Sequence, residues 1–172
     1  MIELRRLSIN DGIDVYSLLQ DIPKEENGFG NNANGLTYDE YKEWLVKRNV
    51  YSNQIGLLDG WRVPETTFFL YVDDTPVGMG SIRHFLTDAL KEVGGHIGYC
   101  ISPKYRQKGY GRETMKKVIE LIKSFPAGKT DYCCLSYEPE NEIARKLYLS
   151  LGFEERLDLY KENMEITAVL KL

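Results

Sequence analysis

Residues 2–7 alternate apolar and charged side chains, the two-residue period of a strand with one buried face. Asn10 then serves as a helix N-cap ahead of Ile13, Tyr16 (or Val15), Leu18 and Leu19, and Pro23 ends that helix. The next stretch, KEENGFGNNANG at 24–35, holds three Gly and four Asn, residues that favour turns over either ladder, and reads as a mobile surface loop. Thr37 precedes Glu40 in a capping-box arrangement, and Tyr41, Trp44, Leu45 and Arg48 follow at helical spacing, which predicts a second helix over 38–48. Residues 49–65 lack a clear period and carry Gly56, Gly60 and Pro64, as a loop crossing the surface would. Residues 66–72 resume as a β-branched and aromatic strand, Asp73-Asp74-Thr75-Pro76 forms a turn, and 77–85 is the second arm of a hairpin, where Gly78 and Gly80 leave its backbone close to a neighbour.

The strand 95–101 puts Ile97, Tyr99 and Ile101 on one face and ends at Ser102-Pro103. Met115, Val118, Ile119, Leu121 and Ile122 mark an amphipathic helix that reaches about Ser124, before Pro126 and Gly128. A strand at 131–137 follows, then a helix over 142–151 with Ala144, Leu147, Tyr148 and Leu151 on one side and Gly152 closing it. Strands at 153–160 and 165–172 complete the chain. The order β-α-α-β-β-β-α-β-α-β-β, with no repeat or linker, is that of one α/β domain over 1–172 built on a mixed central β-sheet flanked by helices.

Composition narrows the partners. With 172 residues, 42% hydrophobic and 28% charged, the chain has the make-up of an ordinary globular domain. A net charge of -4 without a Lys/Arg run argues against nucleic acid and anionic lipid as partners. Cys100, Cys133 and Cys134 are odd in number and unevenly spaced, and with the chain's two His they form no zinc-ligand pattern, so neither a disulfide framework nor a metal site is expected. The first residues show no signal-peptide pattern and no membrane span follows, so a cytoplasmic location is expected; a homodimer is left open.

The chemistry gathers after the strand 95–101. In Arg106-Gln107-Lys108-Gly109-Tyr110-Gly111-Arg112, two glycines stand at a helix start, where unpaired amides and the helix dipole make an anion pocket. Glycine admits a phosphate to the backbone, and Arg106, Lys108 and Arg112 add positive charge. Two glycines alone also close an ordinary strand-to-helix turn. The segment has no GK[ST] of a Walker A loop, and Thr114 stands where a dinucleotide fingerprint needs Gly.

The string Arg106-x-x-Gly109-x-Gly111 resembles the [QR]-x-x-G-x-[GA] signature of the GNAT superfamily of N-acetyltransferases. About thirty residues on, Asn141-x-x-Ala144-x-x-Leu147-Tyr148-x-x-x-Gly152-Phe153 is similar to that family's second conserved block. Glu25-Glu26-Asn27-Gly28-Phe29 and Gly94-Gly95-His96-Ile97-Gly98-Tyr99 resemble a bacterial subgroup of predicted acetyltransferases. The resemblance implies a GNAT fold with splayed central strands, acetyl-CoA as co-substrate and direct transfer to a primary amine of a small molecule or peptide. It implies that the Arg106–Gly111 amides hold the diphosphate, that Tyr99, Cys100 and Ile101 run beside the pantetheine arm, that Asn141 bonds the cofactor across the splay, and that Tyr148 stands near the thioester sulfur. A GNAT-fold sensor that binds acyl-CoA without turnover is the rival reading, and a nucleotide-binding α/β domain a more distant one.

An attacking amine of pKa ~10.4 is neutral only about once in several thousand molecules at pH 7, so a base or a desolvating pocket is required. His96 is the first candidate base; His84, Glu92, Tyr99 and a water-relayed base stand beside it. A thiolate of pKa ~8.5 leaves, to which Tyr148, a phenol of pKa ~10, serves as acid. Glu25 and Glu26, with Asp39, Glu40 and Glu43, form an acidic stretch that either steers a cationic amine inward or simply solvates a loop and a helix start.

Overall fold

The computed structural model describes residues 1–51, 63–124, 131–161 and 165–172. The chain runs β1 (Ile2–Arg6), α1 (Ile13–Asp21), a short hairpin of β2 (Glu25–Glu26) and β3 (Phe29–Gly30), α2 (Tyr38–Tyr51), β4 (Glu65–Val72), β5 (Thr75–Arg83), α3 (Asp88–Glu92) and β6 (Ile97–Ile101). A 3-10 turn at Pro103–Tyr105 leads into α4 (Tyr110–Ser124), followed by β7 (Tyr132–Tyr137), α5 (Glu142–Ser150), β8 (Glu154–Glu155) and β9 (Ile166–Lys171). The α/β architecture matches the expected order, with the β2–β3 hairpin and α3 added.

The sheet is split. One half orders its strands β1-β4-β5-β6 and the other β7-β9-β8, every ladder being antiparallel. Among the described residues a single bridge, Gly95 to Leu135, joins the turn before β6 to β7, after which the two strands part. Helices cover both faces, so β4 carries Phe68 into a core with α4, α5 and β7, and Phe69 and Tyr71 into a second core with α1 and α2. A strand buried on both faces has to be apolar almost throughout, which is why Phe68, Phe69, Leu70 and Tyr71 run together.

Several boundaries differ from the sequence pattern for local reasons. α1 begins at Ile13 with Gly12 as N-cap, not at Asn10, because the Asp11 carboxylate turns back to accept the Ser8 amide at 2.8 Å. Its buried face is Val15, Leu18 and Leu19, and Ile13 stays exposed. α2 extends to Tyr51; its Thr37–Glu40 capping box is formed, with Glu40 Oε2 accepting the Thr37 amide at 2.8 Å. The rest of the predicted 49–65 loop, including Gly56 and Gly60, lies mostly outside the described residues, as do Pro126 and Gly128. The hairpin turn is only Asp73-Asp74, both left-handed in φ, so Thr75 and Pro76 already belong to β5 and Pro76 sits at the register shift beside Tyr71. The strand expected over 153–160 is limited to Glu154–Glu155, since Arg156 closes a turn, its guanidinium paired with Asp158 and its carbonyl accepting the Leu159 amide.

The Asn-rich segment is not a mobile loop. Asn31 is fully buried: its Nδ2 donates to the Leu19 and Ile22 carbonyls at 2.8 and 2.9 Å, and its Oδ1 accepts the Ala33 amide at 3.2 Å. Asn34 Nδ2 adds bonds to the Gln20 and Ile22 carbonyls, both at 3.1 Å. These side chains supply the donors that the C-terminal carbonyls of a helix lack. Asn31→Ala is expected to destabilise the protein by about 1–3 kcal/mol, because the Ala33 amide loses its acceptor and the Leu19 and Ile22 carbonyls keep only the bonds from Asn34; urea unfolding of the two proteins measures the difference.

Candidate active site

Where β6 and β7 part, a cleft of about 570 Å³ opens. β6 forms one wall through Ile97, Gly98, Tyr99, Cys100 and Ile101. Among the described residues its edge facing away from β5 carries no ladder, so main-chain groups there, apart from the Ile101 carbonyl bonded by Arg106, are available to a guest. At the C-terminal end of β6 the wall continues through Arg106, Gln107, Gly109, Tyr110 and Gly111, and across the gap come Asn141, Ile143, Ala144, Leu147 and Tyr148 of α5 and its cap.

The loop before α4 is shaped for an anion. Gln107 and Gly109 both take left-handed φ, 61° and 79°, so successive amides turn inward. Among the described residues, none of the main-chain amides from Gln107 to Gly111 has an acceptor, whereas the next two, of Arg112 and Glu113, both reach Gly109 O. A Cβ on Gly109 would meet nothing within 4 Å, so the loop is open to solvent there. Two of the expected basic groups do not line the cleft: Arg112 donates to Ser150 Oγ at 2.7 Å, and Lys108 lies over the Tyr105 ring.

Arg106 does line it, yet its guanidinium is engaged elsewhere. Nη1 donates to Glu26 Oε1 at 3.0 Å, Nη2 to Glu26 Oε2, and Nε to the Ile101 carbonyl at 2.9 Å. The Arg106 hydrogen bond holds the Glu26 carboxyl below its usual range. Glu26 therefore closes the cleft wall as half of an ion pair, and Glu25 is exposed on β2 outside the cleft. Of the other acidic groups, Glu40 is occupied by the Thr37 cap. Cys100 Sγ lies 3.7 Å from Arg106 Nη2, and burial pushes its thiol up.

Tyr148 and Tyr99 meet in the middle of the cleft. Tyr148 is only 8% exposed, packed against the Tyr137 and Phe153 rings at 5.5 and 5.8 Å. Burial pushes its phenol up to about 12, opposed by the neighbouring Tyr99 hydroxyl. Burial raises Tyr99 as well, and the adjacent Tyr148 adds to it. Asn141 caps α5, its Oδ1 accepting the Ala144 amide at 3.2 Å, while also lining the cleft.

His96 lies apart from the cleft lining. It immediately precedes β6 and is 2% exposed, with Nδ1 accepting the Cys134 amide at 3.1 Å and its own amide donating to Cys134 O at 2.6 Å, so it fastens the start of β6 to β7. Burial and the nearby Arg83 charge push it down to about 4. His84, bonded to Thr66 Oγ1 at 2.8 Å, and Glu92, 3.6 Å from Lys161, also lie off the cleft.

The sequence pattern missed the other end. Arg48, Glu65, Ser81, Arg83, Gly94, Ser136 and Glu165 line the cleft beyond the N-terminus of β6. They come from α2, β4, β5, the turn before β6, β7 and the start of β9, and no local motif joins them. Among the described residues no group of His, Cys, Asp and Glu could hold a metal ion, and no helix is long and apolar enough to cross a membrane.

Comparison with known proteins gives the family and the fold. The sequence model of the Acetyltransferase (GNAT) family matches residues 33–153, and the chain belongs to that family. Its fold is that of GNAT acetyltransferase structures. A GNAT-family acetyltransferase from Streptococcus pneumoniae superposes with a TM-score of 0.61 at 16% identity, covering 100% of both chains. Campylobacter jejuni N-acetyltransferase PseH, solved with acetyl coenzyme A, gives 0.60 at 16% identity over 99% of each chain. The ribosomal L7/L12 α-N-protein acetyltransferase RimL, solved with coenzyme A, gives 0.67 at 12% identity over 99% of this chain and 94% of that one. No curated protein matches the chain in sequence.

The position of His96 has a consequence for pH. Its folded pKa of about 4 lies below the ordinary 6.5, so the unfolded chain takes the proton first and stability falls as pH drops from 6.5 through 4. Between pH 7 and 4.5 the group should cost about 2–3 kcal/mol. His96→Gln, which keeps an acceptor for Cys134, should show that much less acid sensitivity in urea unfolding; equal losses in both proteins would contradict the assignment.

Proposed function

We propose that this chain transfers an acetyl group from acetyl-CoA to a primary amine of a small molecule or peptide, by direct attack in a ternary complex. The observation that carries the reading is the run of acceptor-free amides from Gln107 to Gly111 at one end of a cleft whose middle holds the Tyr148 and Tyr99 hydroxyls. Those amides, at the positive end of α4, suit the cofactor diphosphate better than the side chains do, since Arg106 is already paired with Glu26. The open edge of β6 at Tyr99, Cys100 and Ile101 offers hydrogen bonds to an extended amide-bearing arm. Ile143, 82% exposed at the lip, and Leu147 offer it apolar cover. Asn141 retains its Nδ2 donor for the same guest while its Oδ1 caps α5.

When bound, the thioester supplies the acetyl group and a thiolate leaving group: a carbon–nitrogen bond forms, the carbon–sulfur bond breaks, and the amine loses a proton. Tyr148 is placed to answer the thiolate. Because its phenol sits near 12, complete proton transfer to a thiolate of ~8.5 would run uphill by about 5 kcal/mol. Tyr148 therefore acts by donating a hydrogen bond as charge builds. With His96 outside the cleft, the amine proton leaves to water or to a carboxylate of the far end.

Two substitutions test the reading. Gly109→Leu puts a side chain among the amides and should weaken acetyl-CoA binding by at least about 30-fold in calorimetry, with the circular dichroism unchanged. Unaltered affinity would overturn the diphosphate assignment. Tyr148→Phe should lower kcat by about 10- to 100-fold with acetyl-CoA affinity nearly constant, read from CoA release over an amine panel. A protein that binds acetyl-CoA but frees no CoA with any acceptor would be the sensor rather than the enzyme.

A further inference from the structure

The far end of the cleft holds charges that the acetyl-transfer chemistry has not yet used. Arg83 closes β5, and only its Nη1 is hydrogen-bonded among the described residues, to the carbonyls of Gly94 and Gly95 at 3.3 and 2.8 Å. Those carbonyls are aimed at it by two consecutive glycines of left-handed φ, and at Gly95 the conformation is enforced: a Cβ there would fall 2.4 Å from Cys134 O. A guanidinium has five N–H donors in a planar fork, so most of the Arg83 fork is left to a guest. Arg48 stands beside the same space, its Nη1 2.9 Å from Glu65 Oε1, and its Nε is buried without a partner among the described residues.

Two carboxylates balance these cations. Glu65 is taken by Arg48. Glu165 Oε2 accepts the hydroxyl of Ser136, whose oxygen in turn accepts the Gly94 amide at 2.7 Å, so the carboxylate is fixed in place. Its Oε1 lies where a side chain on Gly28 would be, 2.6 Å from the ideal Cβ, so the absence of a side chain there makes room for it. The charged groups facing Arg83 are thus Glu65, Glu165 and Arg48, and neither carboxylate is hydrogen-bonded to it directly.

We infer that the amine acceptor is an amino acid, its carboxylate received by the Arg83 fork and its ammonium by Glu165. The inference rests on the acetyl-transfer reading and narrows its acceptor. A polyamine would bring only positive charge toward two arginines. A molecule carrying one charge of each sign leaves the end neutral and gives each of the two available groups a partner. The arrangement also revises the acidic steering expected of Glu25 and Glu26: Glu26 is paired with Arg106, Glu25 lies outside the cleft, and selection falls to the groups at Arg83 and Glu165.

The test is a matched panel with the full chain: the L-α-amino acids, their primary carboxamides and the corresponding decarboxylated amines, each assayed by CoA release. At least one amino acid should exceed both its carboxamide and its decarboxylated amine by about 10-fold or more in kcat/KM, the scale of a lost charge-assisted fork. Arg83→Gln should raise KM for that amino acid by a similar factor, abolish the discrimination and leave the acetyl-CoA KM unchanged. Arg83→Lys, which keeps the charge without the fork, should retain part of it and serves if the Gln variant does not fold. Carboxamides or plain amines used as well as the acids, or discrimination intact in Arg83→Gln, would overturn the inference. If no CoA is released with any acceptor, calorimetry of the same acids and carboxamides on the CoA-loaded protein decides it, with equal binding counting against. Failure to bind acetyl-CoA at all would instead sink the acetyl-transfer reading.

Discussion

The structure depends on a strand that gives up half its hydrogen bonds. β6 pairs with β5 along one edge and leaves the other open inside the protein, an arrangement a sheet normally avoids because unpaired main-chain groups away from water are costly. It is tolerated because the separation is pinned at one end. The Gly95–Leu135 bridge, the two bonds between His96 and Cys134, and the Gly94 amide on Ser136 hold the sheet halves together just before β6 begins. From that point the strands diverge over the five residues of β6, and the cleft is the gap between them. A histidine that could have been a catalytic base is in this sense a fastener, and its low pKa follows from being buried at the pin.

The two ends of the cleft solve opposite electrostatic problems. At the α4 end the attraction for an anion comes from amides and the helix terminus, with the obvious cation, Arg106, turned to Glu26, Ile101 O and Cys100. An ion pair this exposed contributes little to stability. Its effect is positional: it joins the β2–β3 hairpin to the loop before α4, so the two share one fixed edge. At ~3.3 Å per residue, β6 keeps the two ends roughly 13 Å apart, far enough for the tyrosine pair to lie between them.

What could be read from the sequence was whatever a local pattern encodes. The helices over Met115–Ile122 and Ala144–Leu151 announced themselves by apolar spacing, the Thr37–Glu40 box by its capping residues, and the anion loop by Gly109 and Gly111 at a helix start. The GNAT resemblance rests on two of these stretches, the anion loop and the Ala144–Leu151 helix, and the family match spans residues 33–153. Where the pattern misled, a tertiary bond had outweighed a local preference. The Asn-rich stretch has the composition of a free loop, yet Asn31 and Asn34 spend their amides on the end of α1. His96 has the right pKa for a base only in water, and strand alternation together with the Cys134 bonds took it out of water.

The Arg83 end was not legible at all, and its construction explains why. Arg48, Arg83, Glu65 and Glu165 come from four separate elements spread over more than a hundred residues, and each alone looks like an ordinary surface charge. Their placement in one cleft carries a cost: partly buried ion pairs seldom stabilise a fold relative to apolar residues of the same volume. With two charges of each sign, moreover, the end presents little net field at a distance, so it cannot recruit a substrate by long-range attraction as a single-sign patch would. Its influence is confined to contact range, where the geometry of a fork and a fixed carboxylate can distinguish molecules of equal net charge. The proposed selection of an amino acid rests on that contact-range discrimination, which is the return the fold would have for carrying four charges in one cleft.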